Sequence, residues 1–291
     1  MKVAVVGASG QLGADVSREF RRNGDEVCDL CHSDIEICSL QSVQTVLGEA
    51  KPRIIVNTAA MHNVERCEND PLKAYQVNSL GSRNLALVAR QIGAVLVHVS
   101  TDYVFDGSKK APYVEADLAL PLNVYGNTKL AGESLIRATA DKYFILRTSA
   151  LYGANPCRAK CGRNFVELML KLAGEREELR VVDDEVVSPT STSEVARQIA
   201  MLCQTDNFGL YHATSEGSCT WYEFAARIFD LAGVKTNLRV AAPGEFPAKV
   251  ARPSYSVLEN HALKVLGLNS FQTWEEGLRS YFLSRKNCPL V

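Results

Sequence analysis

Residues 2–13 read Lys2-Val3-Ala4-Val5-Val6-Gly7-Ala8-Ser9-Gly10-Gln11-Leu12-Gly13. An unbroken apolar run closes on a glycine turn. Helical periodicity follows, with Leu12, Val16 and Phe20 on one face of a helix over 11–22. A strand with no polar alternation is buried on both faces, the mark of a parallel sheet. The glycines follow the strand directly and open the helix, the register of a dinucleotide-binding turn. Gly7 allows the tight turn, Gly10 the close approach of a pyrophosphate, and Gly13 close helix–sheet contact. The free N–H groups of the helix start would face the phosphates.

The same alternation continues outward. Strands are expected at 25–30, 53–60, 94–101 and 143–149. Helices are expected at 39–50, with Ser39 as N-cap, at 71–92, starting from Pro71, and at 124–140. After Tyr152 the pattern loosens. Residues 154–163 read as a loop, and helices recur at 164–174, 192–204, 220–232, 259–266 and 273–284. A Pro-containing stretch, 242–254, separates the last helices. The expected class is α/β: a Rossmann-type doubly wound parallel sheet with a smaller mixed α/β substrate lobe. Residues 1–150 form the NAD(P)-binding unit, completed by parts of 175–220. Residues 151–174 and 221–291 form the substrate lobe.

Composition narrows the function classes. The chain has 291 residues, 46% hydrophobic and 22% charged, which excludes disordered and fibrous proteins. Lys+Arg is 32 against Asp+Glu 33, so the basic surplus of a nucleic-acid binder is missing. No apolar run approaches the roughly 20 residues of a membrane span. The apolar run at residues 3–6 is too short for a signal peptide, and glycines break it. The nine cysteines are scattered, which points to free thiols in a reducing cytoplasm. Cys28-x-x-Cys31 falls at the end of a strand with no second pair at metal spacing, and reads as core filler. Cys157 and Cys161 bracket a basic loop segment without a nearby histidine, and no metal site is assigned. Arg158, Lys160 and Arg163 of that loop are candidates to meet an anionic nucleotide-sugar, since a near-zero net charge supplies no global basic field.

Chemistry is expected at the carboxyl ends of the strands. Asp29 ends the second strand, about 20 residues on from the glycine turn, where an acidic residue takes a ribose 2′-hydroxyl and repels a 2′-phosphate. That slightly favours NADH over NADPH. Asp34 and Ile35 would flank the adenine. Strand four ends in His98-Val99-Ser100-Thr101-Asp102-Tyr103. Tyr125 and Lys129 lie four apart on the following helix and share a face. An ammonium beside a phenol stabilises the phenolate and pulls its pKa toward the working range. Thr101 would orient a substrate carbonyl beside Tyr125. His98, inside an apolar strand pattern, reads as a satisfied core residue.

These segments together resemble an extended short-chain dehydrogenase/reductase, and more narrowly the dTDP-4-dehydrorhamnose reductases. The resemblance runs nearly end to end, through VVGASGQLG, VNTAA, HVSTDYVFDG, PLNVYGNTKLAGE, GRNFVELML, GLYHATSEGSCTWYEFA and ARPSYSVLEN. It implies reduction of a 4-keto-6-deoxy sugar carried on dTDP, with NADH or NADPH, in the cytoplasm of a polysaccharide-making cell. It implies Thr101, Tyr125 and Lys129 as the catalytic set. The cofactor would meet Gly7, Gly10, Gln11, Leu12, Gly13, Asp29, Asp34, Ile35, Ala60, Met61, His62, Ser100, Tyr125 and Lys129. The substrate would meet Val64, Thr101, Asp102, Phe105, Ala150, Asn164 and Phe165. The expected partner is a nucleotide-sugar, with no nucleic acid and no membrane, and the expected state is a monomer or homodimer.

Three departures stand out. Ala150 occupies the place of the family's Trp after Arg-Thr-Ser. The loop 154–163 carries a Cys-flanked basic insert. The family's Asp-Gln-x-Gly-x-Pro-Thr appears as Asp184-Glu185-Val186-Val187-Ser188-Pro189-Thr190. Two other readings compete. Nucleotide-sugar dehydratases and epimerases share the fold, but dehydratases carry an acidic pair where this chain has Asp102-Tyr103. The regulatory beta subunit of methionine adenosyltransferase, a non-catalytic NAD(P)-binding partner protein, also resembles this family and also lacks the Trp.

Overall fold

The structure is a computed structural model that describes residues 1–157 and 162–286. Arg158, Lys160, Cys161 and Cys288 lie outside the described residues. The strands are β1 (Lys2–Val6), β2 (Glu26–Leu30), β3 (Ile54–Asn57), β4 (Val95–Thr101), β5 (Tyr143–Thr148), β6 (Leu151–Tyr152), β7 (Glu178–Val181), β8 (Val186–Val187), β9 (Thr190–Ser191), β10 (Gly209–His212), β11 (Cys219–Thr220) and β12 (Asn237–Val240). The helices are α1 (Gln11–Arg22), α2 (Leu40–Ala50), α3 (Val64–Asn69), α4 (Pro71–Tyr75), α5 (Ser82–Ile92), α6 (Val124–Thr139), α7 (Phe165–Glu175), α8 (Thr192–Leu202), α9 (Trp221–Ala232), α10 (His261–Val265) and α11 (Trp274–Lys286).

Six strands form one parallel sheet in the order β10-β5-β4-β3-β1-β2. The chain reverses its direction of travel across the sheet at β1, which pairs with both β2 and β3. That switch point opens a crevice at the carboxyl ends, directly above the glycine turn. Alternation along each strand feeds two cores. Val3 and Val5 pack with Leu12, Val16 and Phe20 of α1 and with Val195 and Ile199 of α8. Ala4 and Val6 pack on the other face with Val43 and Leu47 of α2, Leu85 of α5 and Ile136 of α6.

The helix expected over 71–92 is present but not uniform. Residues Gln76–Gly81, between α4 and α5, form a π-helical turn. An extra residue per turn re-aims side chains. Here Asn78 and Ser79 are brought against α6, where Asn78 Nδ2 donates to Thr128 Oγ1 at 3.0 Å and Ser79 Oγ to the Thr128 carbonyl at 2.7 Å. Pattern reading missed this because the apolar spacing across it still fits a helix.

The C-terminal lobe has a separate core. Tyr152, Phe224, Trp274, Leu278 and Tyr281 are buried together, with Phe165 and Trp221 packed against them. Two short pairs, β7 with β12 and β8 with β11, frame it. Among the described residues no helix is long and apolar enough to cross a membrane. The seven described cysteines are free thiols.

Candidate active site

The glycine turn has the geometry its sequence implies. Gly7 has φ +85°, and a Cβ there would sit 2.8 Å from Thr58 Oγ1 and 2.9 Å from the Ala59 nitrogen. A Cβ on Gly13 would sit 2.3 Å from the Gly7 carbonyl oxygen. Neither position admits a side chain. Gly10 is the N-cap of α1 with no side-chain cap, and the first turn of α1 holds no acidic residue. The first-turn N–H groups are thus left for an anion. Leu12 is buried in the core. Gln11 Nε2 donates to the carbonyls of Gly153 and Asn155 at 3.3 and 3.0 Å, lashing the segment after β6 across the turn.

At the β2 edge, Asp29 is not a free carboxylate. It accepts from Ser17 Oγ at 2.6 Å and pairs with Arg21 Nη2 at 2.7 Å. The guanidinium offsets the charge on which a preference for NADH over NADPH would rest. Asp34 accepts from the Cys31 N–H at 2.7 Å and closes a local turn. The Ile35 side chain lies in the core with Leu30 and Val43 and presents no surface to an adenine. Ala60, Met61 and His62 line a cavity of about 540 Å³ with His32, Arg66 and Lys73. Asn78 pins this wall, accepting from Met61 N–H at 2.8 Å and donating to its carbonyl at 2.9 Å. Cys157 Sγ lies 3.7 Å from His62 Nε2 on the same side.

The catalytic candidates converge at the end of β4. Asn123 caps α6, accepting from Gly126 N–H at 2.8 Å, and donates to the Ala251 carbonyl at 2.9 Å. A Cβ on Gly126 would meet the Tyr103 carbonyl oxygen at 2.2 Å, so α6 starts in contact with the strand end. Tyr125, in the first turn, is half-buried, with its ring 6.0 Å from that of Tyr103. Thr101 Oγ1 donates to Asp102 Oδ1 at 2.9 Å, and Ser149 Oγ donates to Asp102 Oδ2 at 2.7 Å. Burial raises the Asp102 carboxyl above its ordinary range, and its hydroxyl donors oppose that rise.

The electrostatics differ from expectation. Burial pushes the Tyr125 phenol up, well above its ordinary value. Burial pushes the Lys129 ammonium down to about 8, against the opposing pull of Glu133. The expected lowering of the phenol by its neighbour is absent in this site. Lys129 Nζ is turned inward, donating to the Val99 carbonyl at 2.7 Å and meeting His98 Nε2 at 3.1 Å. His98 is fully buried, and Asn57 Nδ2 contacts its Nδ1 at 3.0 Å.

Several candidates support the cleft from behind. Ser100 Oγ donates to Glu133 Oε1 at 2.5 Å, and Glu133 is also held by Arg147 at 2.7 and 3.0 Å. Phe105 is fully buried, stacked on Tyr113 at 4.2 Å with the Arg147 guanidinium 5.1 Å from its ring centre. Asn164 is the N-cap of α7, accepting from Glu167 N–H at 3.1 Å and donating to the Gly153 carbonyl at 2.8 Å. Phe165 stacks on Phe224 at 5.5 Å. Val64 and Ala150 are half-buried, and Ala150 holds a left-handed φ of +44°. Sequence reasoning missed Asn57, Glu133, Arg147 and Ser149. Only Glu133 carried a signal, four residues after Lys129 on the same helix face.

The profile of the RmlD substrate binding domain matches residues 1–286. The chain is 41% identical over 286 residues to the spore coat polysaccharide biosynthesis protein SpsK of Bacillus subtilis, covering 98% of both. It is 37% identical to a dTDP-4-dehydrorhamnose reductase of Streptomyces griseus, covering 96% of this chain and 92% of that one. The solved dTDP-4-dehydrorhamnose reductase of Bacillus anthracis in complex with NADP superposes with a TM-score of 0.93 at 38% identity, over 97% of this chain and 99% of that one. A UDP-glucose 4-epimerase of Thermus thermophilus complexed with NAD, 21% identical, shares the fold at a TM-score of 0.84 over 99% of this chain and all of that one. With its glycine turn, its Thr101, Tyr125 and Lys129 and this end-to-end match, the chain belongs to the RmlD substrate binding domain family.

Proposed function

We propose that the protein is an NAD(P)H-dependent reductase of a nucleotide-linked 4-keto-6-deoxy sugar, in its most specific form converting dTDP-4-dehydro-L-rhamnose to dTDP-L-rhamnose. The observation that carries this reading is the meeting of an uncapped, glycine-lined helix start with the Tyr125 side chain at the same carboxyl edge. The dinucleotide would lie on Gly7, Gly10 and Gln11 and against Ala60 and Met61. When bound, it supplies the hydride. Residues 1–150 with parts of 175–220 would hold it, and residues 151–174 and 221–291 would hold the sugar nucleotide.

Tyr125 acts as the proton donor to the sugar oxygen. It is a phenol at neutral pH, as an unperturbed tyrosine also is, and that is the form a donor needs. Thr101 donates to Asp102 and already accepts from the Tyr103 N–H at 3.2 Å, which leaves one lone pair to accept from Tyr125 or from a sugar hydroxyl. Asp102 thereby sets the direction of the Thr101 hydrogen bond. The Asp102-Tyr103 pair lacks the second carboxylate of an elimination site, which argues for reduction over dehydration. With Asp29 already paired to Arg21, either nicotinamide cofactor fits.

Purified protein should oxidise NADH or NADPH when offered a dTDP-linked 4-keto-6-deoxy sugar, and more slowly or not at all with UDP- and GDP-linked ones. No oxidation with any of the three would overturn the reading. Ala150 favours one second reading, a non-catalytic NAD(P)-binding regulatory subunit, because the large apolar wall expected there is missing. Cofactor binding without turnover, together with a synthetase partner that co-purifies, would favour it.

A further inference from the structure

We propose that Asn57 and His98 are positioning residues that hold Lys129 as an uncharged amine in the cofactor-free site. Hydrogen-bond directions are fixed along one chain of groups that runs from β3 to α6. It starts at a group whose polarity cannot change. The Ala59 backbone N–H donates to Asn57 Oδ1 at 3.1 Å. The Asn57 amide nitrogen, a donor only, therefore faces His98 Nδ1 at 3.0 Å. Nδ1 must accept, so the proton of the neutral ring is on Nε2. That N–H points at Lys129 Nζ, 3.1 Å away. Nζ can accept it only as an amine, and it spends a hydrogen of its own on the Val99 carbonyl at 2.7 Å.

An ammonium in the same place has no consistent arrangement. It would need a lone pair on Nε2 and hence a proton on Nδ1, facing the Asn57 amide nitrogen. Turning the Asn57 amide would relieve that contact and set its nitrogen against the Ala59 N–H. Either way two donors are opposed inside the core, where an unsatisfied polar group is costly. The neighbouring charges do not reverse this. Glu133 on α6 favours the ammonium, but Arg147 of β5 holds it in a two-bonded pair. Tyr125, also on α6, stays a phenol. Asn57 of β3 and Asn78 and Ser79 of the π-helical turn carry no charge. Burial pushes His98 toward its neutral form but brings Lys129 only to about 8, so the amine at pH 7 rests on the opposed donors of this hydrogen-bond chain and not on burial alone.

The consequence for turnover rests on the reductase reading: Lys129 would gain its proton as Nζ leaves His98 for the cleft. The arrangement itself can be read without turnover. Long-range proton–nitrogen spectra of the 15N-labelled free protein resolve the tautomers of its five histidines, with His98 assigned by its loss in H98Q. The expected form at pH 7 is Nε2–H. In Asn57→Asp the carboxylate accepts from both the Ala59 N–H and Nδ1–H. The tautomer should switch to Nδ1–H, and the Lys129 limb of the kcat/KM pH profile should rise by at least about one unit, tenfold in proton affinity. A wild-type His98 in the Nδ1–H or imidazolium form overturns the proposal, whether or not Asn57→Asp folds. Nε2–H in a protein that turns over no keto sugar supports it while removing the reductase reading. Nδ1–H in an active reductase does the opposite.

Discussion

Beneath the carboxyl edge of β4 and β5 the buried groups are polar. Ser100, Glu133 and Arg147 form one cluster, Thr101, Asp102 and Ser149 a second, and Asn57, His98 and Lys129 a third. In the C-terminal lobe the buried cluster is apolar and its largest members are aromatic. Phe224 alone has Tyr152, Phe165, Trp221 and Trp274 around it, with ring centres 5.5 to 6.3 Å away. Buried charges are poor sources of stability, because desolvation offsets their attraction. Buried aromatic rings contribute both area and favourable ring contacts. The two regions therefore divide the work. The lobe contributes stability, and the strand edge uses buried polar groups to hold side chains in fixed directions.

This contrast can be broken at several points. The largest effect is expected at Tyr125→Phe, which should slow ketone reduction by at least ~100-fold and change unfolding free energy by less than about 1.5 kcal/mol. Steady-state rates and urea unfolding measure both, and full activity in the variant would end the proton-donor assignment. Phe224→Ala should do the reverse. It should cost about 3–5 kcal/mol of stability, while NADPH titration of the folded fraction gives the wild-type affinity. A loss below about 1 kcal/mol would mean that the aromatic cluster is not the stabilising core of the lobe.

Glu133→Gln sits between the two regions in kind. It leaves Arg147 buried beside a neutral amide, which should cost about 3 kcal/mol, the lower end for a broken buried pair. Unchanged urea unfolding would show that the pair is dispensable for stability. The smallest effect comes from paired cap variants. Asn123→Ala at α6 and Thr220→Ala at the capping box of α9 should each cost about 1 kcal/mol. Only Asn123→Ala should also lower kcat, because Tyr125 stands in the turn that Asn123 caps. Equal activity in the two variants would separate cap geometry from catalysis.

The legible parts of the chain were those where one local pattern has one physical cause. The strand, glycine turn and helix of residues 2–22 were readable because both faces of β1 are buried and Gly7 and Gly13 tolerate no side chain. Ser39, as the cap of α2, was readable because its hydroxyl accepts the Ser42 N–H at 3.3 Å, a purely local bond. Tyr125 and Lys129 were readable as neighbours because helix geometry puts them on one face. The π-helical turn was hidden inside a spacing that also suits an ordinary helix. Phe105, Ser100 and Ile35 look like cleft residues in the chain, yet their side chains point into buried clusters.

The sequence by itself therefore determined the sheet class, the glycine turn and which side chains are the candidates for the chemistry, because these depend on spacing within a few residues. Only the tertiary structure decided their charge states and directions. The inward turn of Lys129 depends on His98 from β4 and Asn57 from β3. The loss of a free carboxylate at Asp29 depends on Ser17 and Arg21 from α1. The pKa of each group follows from burial and from partners contributed by other strands and helices, and no spacing along one segment encodes them.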